Sequence, residues 1–201
     1  LANRKSKMIG IVVNDLRNTH IASLFMAINQ EIEARGYSMI CHVMEEGEKN
    51  SNSKLINLIA SENVDALIWA KSLETNQEDI GMLRRNMEML DIPVLTMEEY
   101  GLNCPGLDIC FDYQQGAYLA TKHLIEYGHR RIGCLTGEVS YKVTQDRING
   151  YSQALEEFGI PFEEKFLYYG DYTMQSGYKA LSYLLGQKVS AIFAFNDEMA
   201  F

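Results

Sequence analysis

The chain has 201 residues and a formal net charge of −9, from 18 basic and 27 acidic side chains. Such an acidic surface does not attract nucleic-acid phosphates unless a separate basic element is present, and the one cluster of cations is Arg4, Lys5 and Lys7. No apolar run approaches the roughly 20 residues of a membrane span, so we expect no membrane partner.

The segment after Lys7 lacks the length and the small-residue cleavage site of a secretory signal, which favours a cytoplasmic protein. Neither a C-x-x-C pair nor zinc-ligand spacing occurs, so we expect no metal and predict that all the cysteines are free thiols. These cysteines are Cys41, Cys104, Cys110 and Cys134.

Short apolar runs alternate with segments of helical periodicity along the chain. The runs predict strands at residues 8–13, 37–44, 66–70, 94–97, 108–111, 131–136, 166–169 and 191–195. The clearest helix has apolar side chains from Ile21 to Ile32 at helical spacing and ends at Gly36, a typical C-terminal cap. Further helices are predicted at 51–62, 76–90, 114–127, 144–158 and 173–185.

Alternating strands and helices predict parallel sheets covered by helices on both faces, an α/β fold with doubly wound, Rossmann-like lobes. The segment RRIGCLTGE repeats the pattern of KMIGIVVND, which indicates two lobes. We predict a linker at 1–7, a first lobe at 8–129 with five strands, and a second lobe at 130–201 with three. A three-stranded lobe is thin, so we expect the second lobe to be incomplete and the native chain to continue beyond Phe201.

Polar and aromatic side chains follow the predicted strands at their carboxyl ends, where ligands bind in open α/β sheets. Carboxylates and amides pair with hydroxyl groups and aromatic faces cover apolar rings, so the set suits a polyhydroxylated or nucleoside-like ligand. The residues are Asn14, Asp15, Asn18, His20, Glu98, Glu99, Asp112, Tyr113, Gly137, Glu138, Asp171, Tyr172, Asn196 and Asp197.

Structural roles compete with ligand binding at several of these positions. Asp15, Asp171 and Asp197 could equally cap helix N-termini, and Tyr113 and Tyr172 could be packing aromatics. Another candidate is an arginine near the start of a predicted helix. Its side chain points either into the ligand crevice at the carboxyl ends of the strands or to a partner on the surface. That arginine is Arg147, and its possible partners are Asp146 and Glu138.

Catalytic motifs are missing from the sequence. There is no G-x-S-x-G, H-E-x-x-H or P-loop, and no G-x-G-x-x-G follows the first strand of either lobe, so we predict neither an enzyme nor a cofactor. His20 is the one histidine expected in the crevice, and the sequence offers no partner that would tune it as a base.

Taken together, these segments resemble the effector-binding domain of the lactose/galactose repressor family of bacterial transcription regulators. The resemblance rests on IGIVVNDLRN, EARGY, VDALIWA, IPVLTM, FDYQQGAYLATKHLIEYGHRRIGCLTG, DRINGYSQALEEFGI, GDYTMQSGY and AIFAFNDEMA. It implies the fold of periplasmic sugar-binding proteins, with a small molecule bound between the two lobes.

The resemblance also implies which residues bind the effector. Asp112, Arg147, Tyr172 and Asn196 match positions that line the effector pocket of the family. Two segments depart from the family pattern, and both contain candidate effector residues. Asn18-Thr19-His20-Ile21 stands where Asn-Pro-aromatic-aromatic is common, and Met97-Glu98-Glu99 stands where Ile-Asp-Arg is common. A sugar or a related metabolite is the expected effector.

The start of the chain resembles the linker to a helix-turn-helix headpiece that is absent from this chain. Leu1 falls where the family carries the hinge-helix leucine that inserts into the DNA minor groove. The resemblance implies the ligand-gated, homodimeric core of a regulator that binds operator DNA. Two alternatives stay open: an extracytoplasmic solute receptor of the same fold, and an enzyme with its active site between the lobes, using His20 or Glu98.

Overall fold

A computed structural model of the protein describes residues 6–13, 16–43, 59, 61–70, 81, 84–85, 87–97 and 106–201. The chain divides into two compact units, Leu1–Phe111 and Asp112–Phe201. Each unit has its own parallel sheet and its own apolar core.

The first unit is built on a five-stranded parallel sheet. Its strands are β1 (Met8–Val13), β2 (Ser38–Val43), β3 (Ala66–Ala70), β4 (Val94–Met97) and β5 (Gly106–Ile109). Their order across the sheet is β2-β1-β3-β4-β5, and every pair is parallel. The first described helix, α1 (Thr19–Ala34), lies between β1 and β2 in the chain.

Strand β1 is buried on both faces because helical segments cover the sheet on each side. Successive strand residues point to opposite faces. Ile11 packs in one cluster with Phe25 of α1, whereas Val12 packs in another with Ile59 and Met87. The first unit is therefore doubly wound, as the sequence predicts.

The second unit has a three-stranded parallel sheet. Its strands are β6 (Ile132–Thr136), β7 (Leu167–Tyr169) and β8 (Ala191–Ala194), and its helices are α2 (Tyr113–Glu126), α3 (Lys142–Glu157), α4 (Met174–Gly186) and α5 (Asp197–Ala200). The order is β7-β6-β8, so β6 is the central strand, and it is buried along its whole length. Tyr151 of α3 is fully buried in this core and donates a hydrogen bond to the carbonyl oxygen of Ile132 at 2.9 Å.

The division between the units differs from the predicted boundary near residue 130. Helix α2 belongs to the second unit because it packs tightly on α3. A Cβ atom at Gly150 of α3 would overlap the carbonyl oxygen of Gln114. At the C-terminal end of α3, the hydroxyl of Tyr118 donates to Glu157 at 2.6 Å.

The eight predicted strands are all present, and the parallel fold is confirmed. Strand β5 was predicted at 108–111 but begins and ends earlier, because the apolar run after it, including Phe111, is exposed rather than buried. The predicted helices at 51–62 and 76–90 lie mostly outside the described residues. Within them, Ile59, Arg84 and Met87 are helical.

Three of the four cysteines lie in the described part of the chain, and they form no disulfide with one another: Cys41, Cys110 and Cys134. Burial raises the pKa of the Cys134 thiol, which is fully enclosed on β6. Across the described ranges, no group of three or more acidic, histidine or cysteine side chains is arranged to hold a metal ion. The same ranges contain no helix long and apolar enough to span a membrane.

The close approach of α2 and α3 predicts a strong effect of substituting Gly150. Gly150→Ala should lower the free energy of unfolding by about 1–3 kcal/mol, because the added methyl group forces the helices apart. Gly116→Ala is the matched control, since a Cβ there meets nothing within 4 Å. The control should raise stability by roughly 1 kcal/mol through helix propensity. Urea unfolding followed by circular dichroism measures both, and equal effects of the two substitutions would contradict this packing.

Candidate functional site

The carboxyl ends of the three strands of the second unit bring a set of predicted ligand residues together. Gly137 follows β6, Tyr172 follows β7 and Asn196 follows β8. Parallel strands end at the same edge of a sheet, so these loops are neighbours. Asn196 Nδ2 donates a hydrogen bond to the carbonyl oxygen of Tyr172 at 2.9 Å, which joins two of them directly.

Tyr172 has a left-handed backbone, with a φ of 64°. Its ring fills the space above Gly137, where a Cβ atom would overlap the ring carbon Cζ. Its hydroxyl lies 2.7 Å from the hydroxyl of Thr144, a fully buried residue of α3. Burial raises the pKa of Tyr172, and hydrogen bonds from Thr144 and Arg147 partly oppose that rise. The backbone conformation of Tyr172, the packing of its ring over Gly137 and the hydrogen bond of its hydroxyl with Thr144 together fix the position of the ring.

Arg147 lies at the centre of this site. Its guanidinium carbon is 4.6 Å from the ring centroid of Tyr113 and 5.6 Å from that of Phe195. Aromatic faces attract a guanidinium group and restrict its plane. Asp146, one of the two possible surface partners, instead pairs with Lys142 at 2.7 Å. The guanidinium group of Arg147 thus lies against aromatic rings of the second unit, while Asp146 is paired with a different cation.

Three predicted effector residues are also the N-terminal caps of helices. Asn18 Oδ1 accepts from the backbone N–H groups of His20 at 3.0 Å and Ile21 at 3.1 Å. Asp112 Oδ1 accepts from Gln115 N–H at 2.8 Å, and Asn196 Oδ1 accepts from the N–H of Met199 in α5 at 2.9 Å. A cap occupies one acceptor atom of each side chain, so capping and ligand binding are compatible at these positions.

The capping interpretation of Asp171 and Asp197 is wrong, because the helices begin at different residues. Helix α4 is capped by Thr173, whose hydroxyl accepts from Ser176 N–H at 3.2 Å. Asp171 instead accepts from the N–H of Thr173 at 3.0 Å and from its hydroxyl at 2.5 Å. The hydrogen bond from this hydroxyl is the main reason that the pKa of Asp171 is lowered. Asp197 is the first residue of α5, and Asn196 precedes it as the cap.

Four of the seven predicted effector residues are in the second unit: Asp112, Arg147, Tyr172 and Asn196. In the first unit, Asn18 and an exposed His20 begin α1. The seventh, Glu98, lies outside the described residues, as do the candidates Asn14, Asp15 and Glu99 and the hinge residue Leu1.

Sequence reasoning missed two residues of the site, Thr144 and Phe195. Thr144 precedes Arg147 by three positions in α3, so the two side chains share one helix face, and that spacing could have identified it. Phe195 ends the apolar run of β8, and the sequence suggested only that it is buried.

Comparison with known proteins places the chain beside transcription regulators. The family model for periplasmic binding proteins and the sugar-binding domain of the LacI family matches residues 6–201. The HTH-type transcriptional repressor PurR of Aliivibrio salmonicida is 31% identical over 199 residues, covering 97% of this chain and 58% of PurR. The HTH-type transcriptional regulator DegA of Bacillus subtilis is 29% identical over 202 residues, covering 100% of this chain and 59% of DegA.

The fold is similar to that of a solved regulator as well. A crystal structure of the lac repressor dimer bound to operator and the anti-inducer ONPF superposes with a TM-score of 0.84 at 22% identity, covering 99% of this chain and 68% of that chain. The chain spans less than two thirds of the length of PurR and DegA.

Asn196 should be essential for the geometry of Tyr172. Asn196→Asp keeps a good helix cap but removes the hydrogen-bond donor to the Tyr172 carbonyl oxygen. The left-handed backbone conformation at Tyr172 should therefore become less stable. We expect faster amide exchange at Tyr172 and Thr173 by NMR, with the exchange of β6 unchanged. Unchanged exchange in the loop would show that Asn196 does not hold it.

Proposed function

The chain belongs to the family of periplasmic binding proteins and sugar-binding domains of LacI-type regulators, and from this membership we propose that it is the effector-binding core of a DNA-binding transcription regulator. The matched relatives PurR and DegA are HTH-type regulators, which supports a regulator over a solute receptor. Binding of the effector would change the affinity of the whole protein for its operator.

The observation that carries this proposal is the position of Arg147 between aromatic rings. A guanidinium group held by Tyr113 and Phe195 presents its N–H donors in a fixed plane, with little conformational entropy left to lose on binding. Such donors pair with the hydroxyl or ring oxygens of a small molecule, while the ring of Tyr172 offers an apolar face. We propose a sugar or a related oxygen-rich metabolite as the effector.

Further ligand contacts are proposed at the helix starts. Asp112 uses one carboxylate oxygen as a cap, so its other oxygen can accept from a ligand hydroxyl. Asn18, His20 and Glu98 stay predictions as additional effector residues. Leu1 likewise stays a prediction as the hinge residue that contacts DNA.

The proposed regulator works by binding and not by turnover. An arginine between aromatic rings suits ligand recognition, whereas covalent catalysis needs a nucleophile beside a base. We propose that the chain acts as a homodimer in the cytoplasm, where it meets DNA through a headpiece outside this sequence. Two-fold symmetry of the protein would match a two-fold operator.

A ligand screen tests this function. We expect at least one member of a panel of monosaccharides, disaccharides and nucleobases to raise the melting temperature of the chain, because a ligand that binds only the folded state stabilises it. For that ligand, Arg147→Lys should raise the dissociation constant at least about ten-fold by calorimetry, since lysine keeps the charge but loses the planar fork.

Lys179→Ala provides the control, since it removes an exposed cation from α4 and should leave the affinity unchanged. Ligand binding that is insensitive to Arg147→Lys would contradict the proposed site. Turnover of a bound compound would contradict the proposed function.

A further inference from the structure

The chain segment that leads into β1 is bound by one carboxylate. Asp65 directly precedes β3, and its Oδ1 accepts from the backbone N–H of Ser6 at 3.1 Å while its Oδ2 accepts from the N–H of Lys7 at 2.8 Å. One side chain therefore holds two consecutive residues that are 59 and 58 positions away in the sequence. Hydrogen bonds to a carboxylate are about twice as strong as those between neutral groups. We call Ser6, Lys7 and Asp65 the β1 anchor.

Backbone hydrogen bonds extend this attachment to the neighbouring strands. The N–H of Asp65 donates to the carbonyl oxygen of Met8 at 2.7 Å, and the N–H of Ser38, the first residue of β2, donates to the carbonyl oxygen of Lys7 at 2.8 Å. Strand β1 lies between β2 and β3 in the sheet. The segment that enters β1 is thus held from both sides, and Lys7 is bonded through both its N–H and its carbonyl group.

The backbone of Lys7 turns at the β1 anchor. Its φ of 59° lies in the left-handed region, which costs a non-glycine residue free energy. In an extended strand, successive residues point in opposite directions, so two consecutive N–H groups could not reach the same carboxylate. The turn at Lys7 brings them together, and within it the hydroxyl of Ser6 accepts from the N–H of Met8 at 3.1 Å. The direction of the chain at Ser6 is therefore fixed by Asp65.

Satisfying backbone groups does not by itself account for the β1 anchor. Ser6 and Lys7 are exposed, so water could accept from their N–H groups without any carboxylate. The sheet also has its own ladder, in which β1 pairs with β2 from Met8 onward and with β3 from Ile9 onward. What the carboxylate adds is a fixed direction for the residues just before β1.

We propose that Asp65 is a positioning residue that sets how the linker at 1–7 joins the first unit, and that operator binding depends on it. The inference rests on the proposed function, since only a regulator carries a headpiece beyond this linker. Parallel strands begin at one edge of their sheet and end at the other, so Asp65 lies at the edge opposite the carboxyl ends, where effector residues are expected. A change at Asp65 should therefore alter DNA affinity and leave effector affinity unchanged.

Trypsin cleavage after Lys7 in the 201-residue chain tests the β1 anchor. Both backbone groups of Lys7 are hydrogen-bonded, so cleavage requires local opening, and the open population sets its rate. Asp65→Asn keeps the size of the side chain but replaces one acceptor oxygen by an amide NH2 group. Cleavage after Lys7 should become at least about ten-fold faster. Asp91→Asn is the matched control, since it makes the same charge change at an exposed aspartate shortly before β4 and should leave the rate unchanged.

Operator binding by the full-length protein tests the positioning role. The probe is an operator selected from random duplex DNA with the unmodified full-length protein. Asp65→Asn should raise the dissociation constant of this operator at least about ten-fold, whereas the dissociation constant of an effector, measured on the 201-residue chain, should stay the same. A purely structural role would weaken both kinds of binding together or neither, so a loss confined to the operator identifies positioning.

A second pair of variants leaves Asp65 in place and keeps the test valid if Asp65→Asn does not fold. Lys7→Pro forbids the left-handed conformation and removes one N–H donor, whereas Lys7→Gln removes only the charge. Lys7→Pro should weaken operator binding about as strongly as Asp65→Asn and clearly more than Lys7→Gln. Circular dichroism checks that each variant is folded.

The inference and the proposed function fail separately. Equal tryptic rates for Asp65→Asn and the unmodified chain would overturn the β1 anchor. An operator affinity that neither Asp65→Asn nor Lys7→Pro changes would overturn the positioning role and leave the proposed function intact. An unmodified full-length protein that selects no duplex DNA would contradict the proposed function and, with it, the role of the anchor in DNA binding, whereas the tryptic rates report on the anchor itself.

Discussion

The hydrogen bond from Asn196 to the carbonyl oxygen of Tyr172 is the contact on which the site depends. A left-handed backbone costs a non-glycine residue about 1–2 kcal/mol, so Tyr172 adopts it only where its surroundings compensate. Here the amide of Asn196 fixes the carbonyl group, Gly137 leaves room for the ring, and Thr144 bonds the buried hydroxyl. One polar side chain at the end of β8 therefore determines where an aromatic ring at the end of β7 lies.

The rest of the site is assembled around that ring from separate elements. Arg147 comes from α3, Tyr113 from the start of α2 and Phe195 from the end of β8. Each is anchored on a regular element or directly beside one, which gives a more precise site than loop residues alone would give. The same tight packing of α2 on α3 that fixes the boundary of the unit also brings Tyr113 over Arg147.

At the carboxyl ends of the strands, structural roles and the proposed binding roles fall on the same residues for a geometric reason. In a parallel sheet, the carboxyl ends of the strands lead into helix N-termini, and both capping and ligand binding use polar side chains there. Asn18, Asp112 and Asn196 are caps and also predicted effector residues, Asp112 and Asn196 by the family resemblance. A residue that caps a helix at such a position can therefore also contact a ligand.

The strands were predictable from sequence because most of them are buried on at least one face. Strand β6 is an apolar run up to Thr136, and its burial along the whole length matches that pattern. Strand β5 was misplaced because its apolar residues, such as Ile109, are exposed at the edge of the sheet. The contacts of Thr144 and Phe195 depend on tertiary packing that periodicity does not report. The capping of α4 by Thr173 instead of Asp171 depends on a local hydrogen bond from Ser176 N–H, which periodicity does not report either.

The central claim is that an effector binds at Arg147 and the ring of Tyr172, and hydrogen–deuterium exchange of the chain with and without a saturating effector tests it most directly. The account predicts slower exchange in peptides covering residues 137–147, 170–173 and 195–197, with the outer face of α4 unaffected. Binding that leaves these three segments unchanged and protects residues elsewhere would contradict it.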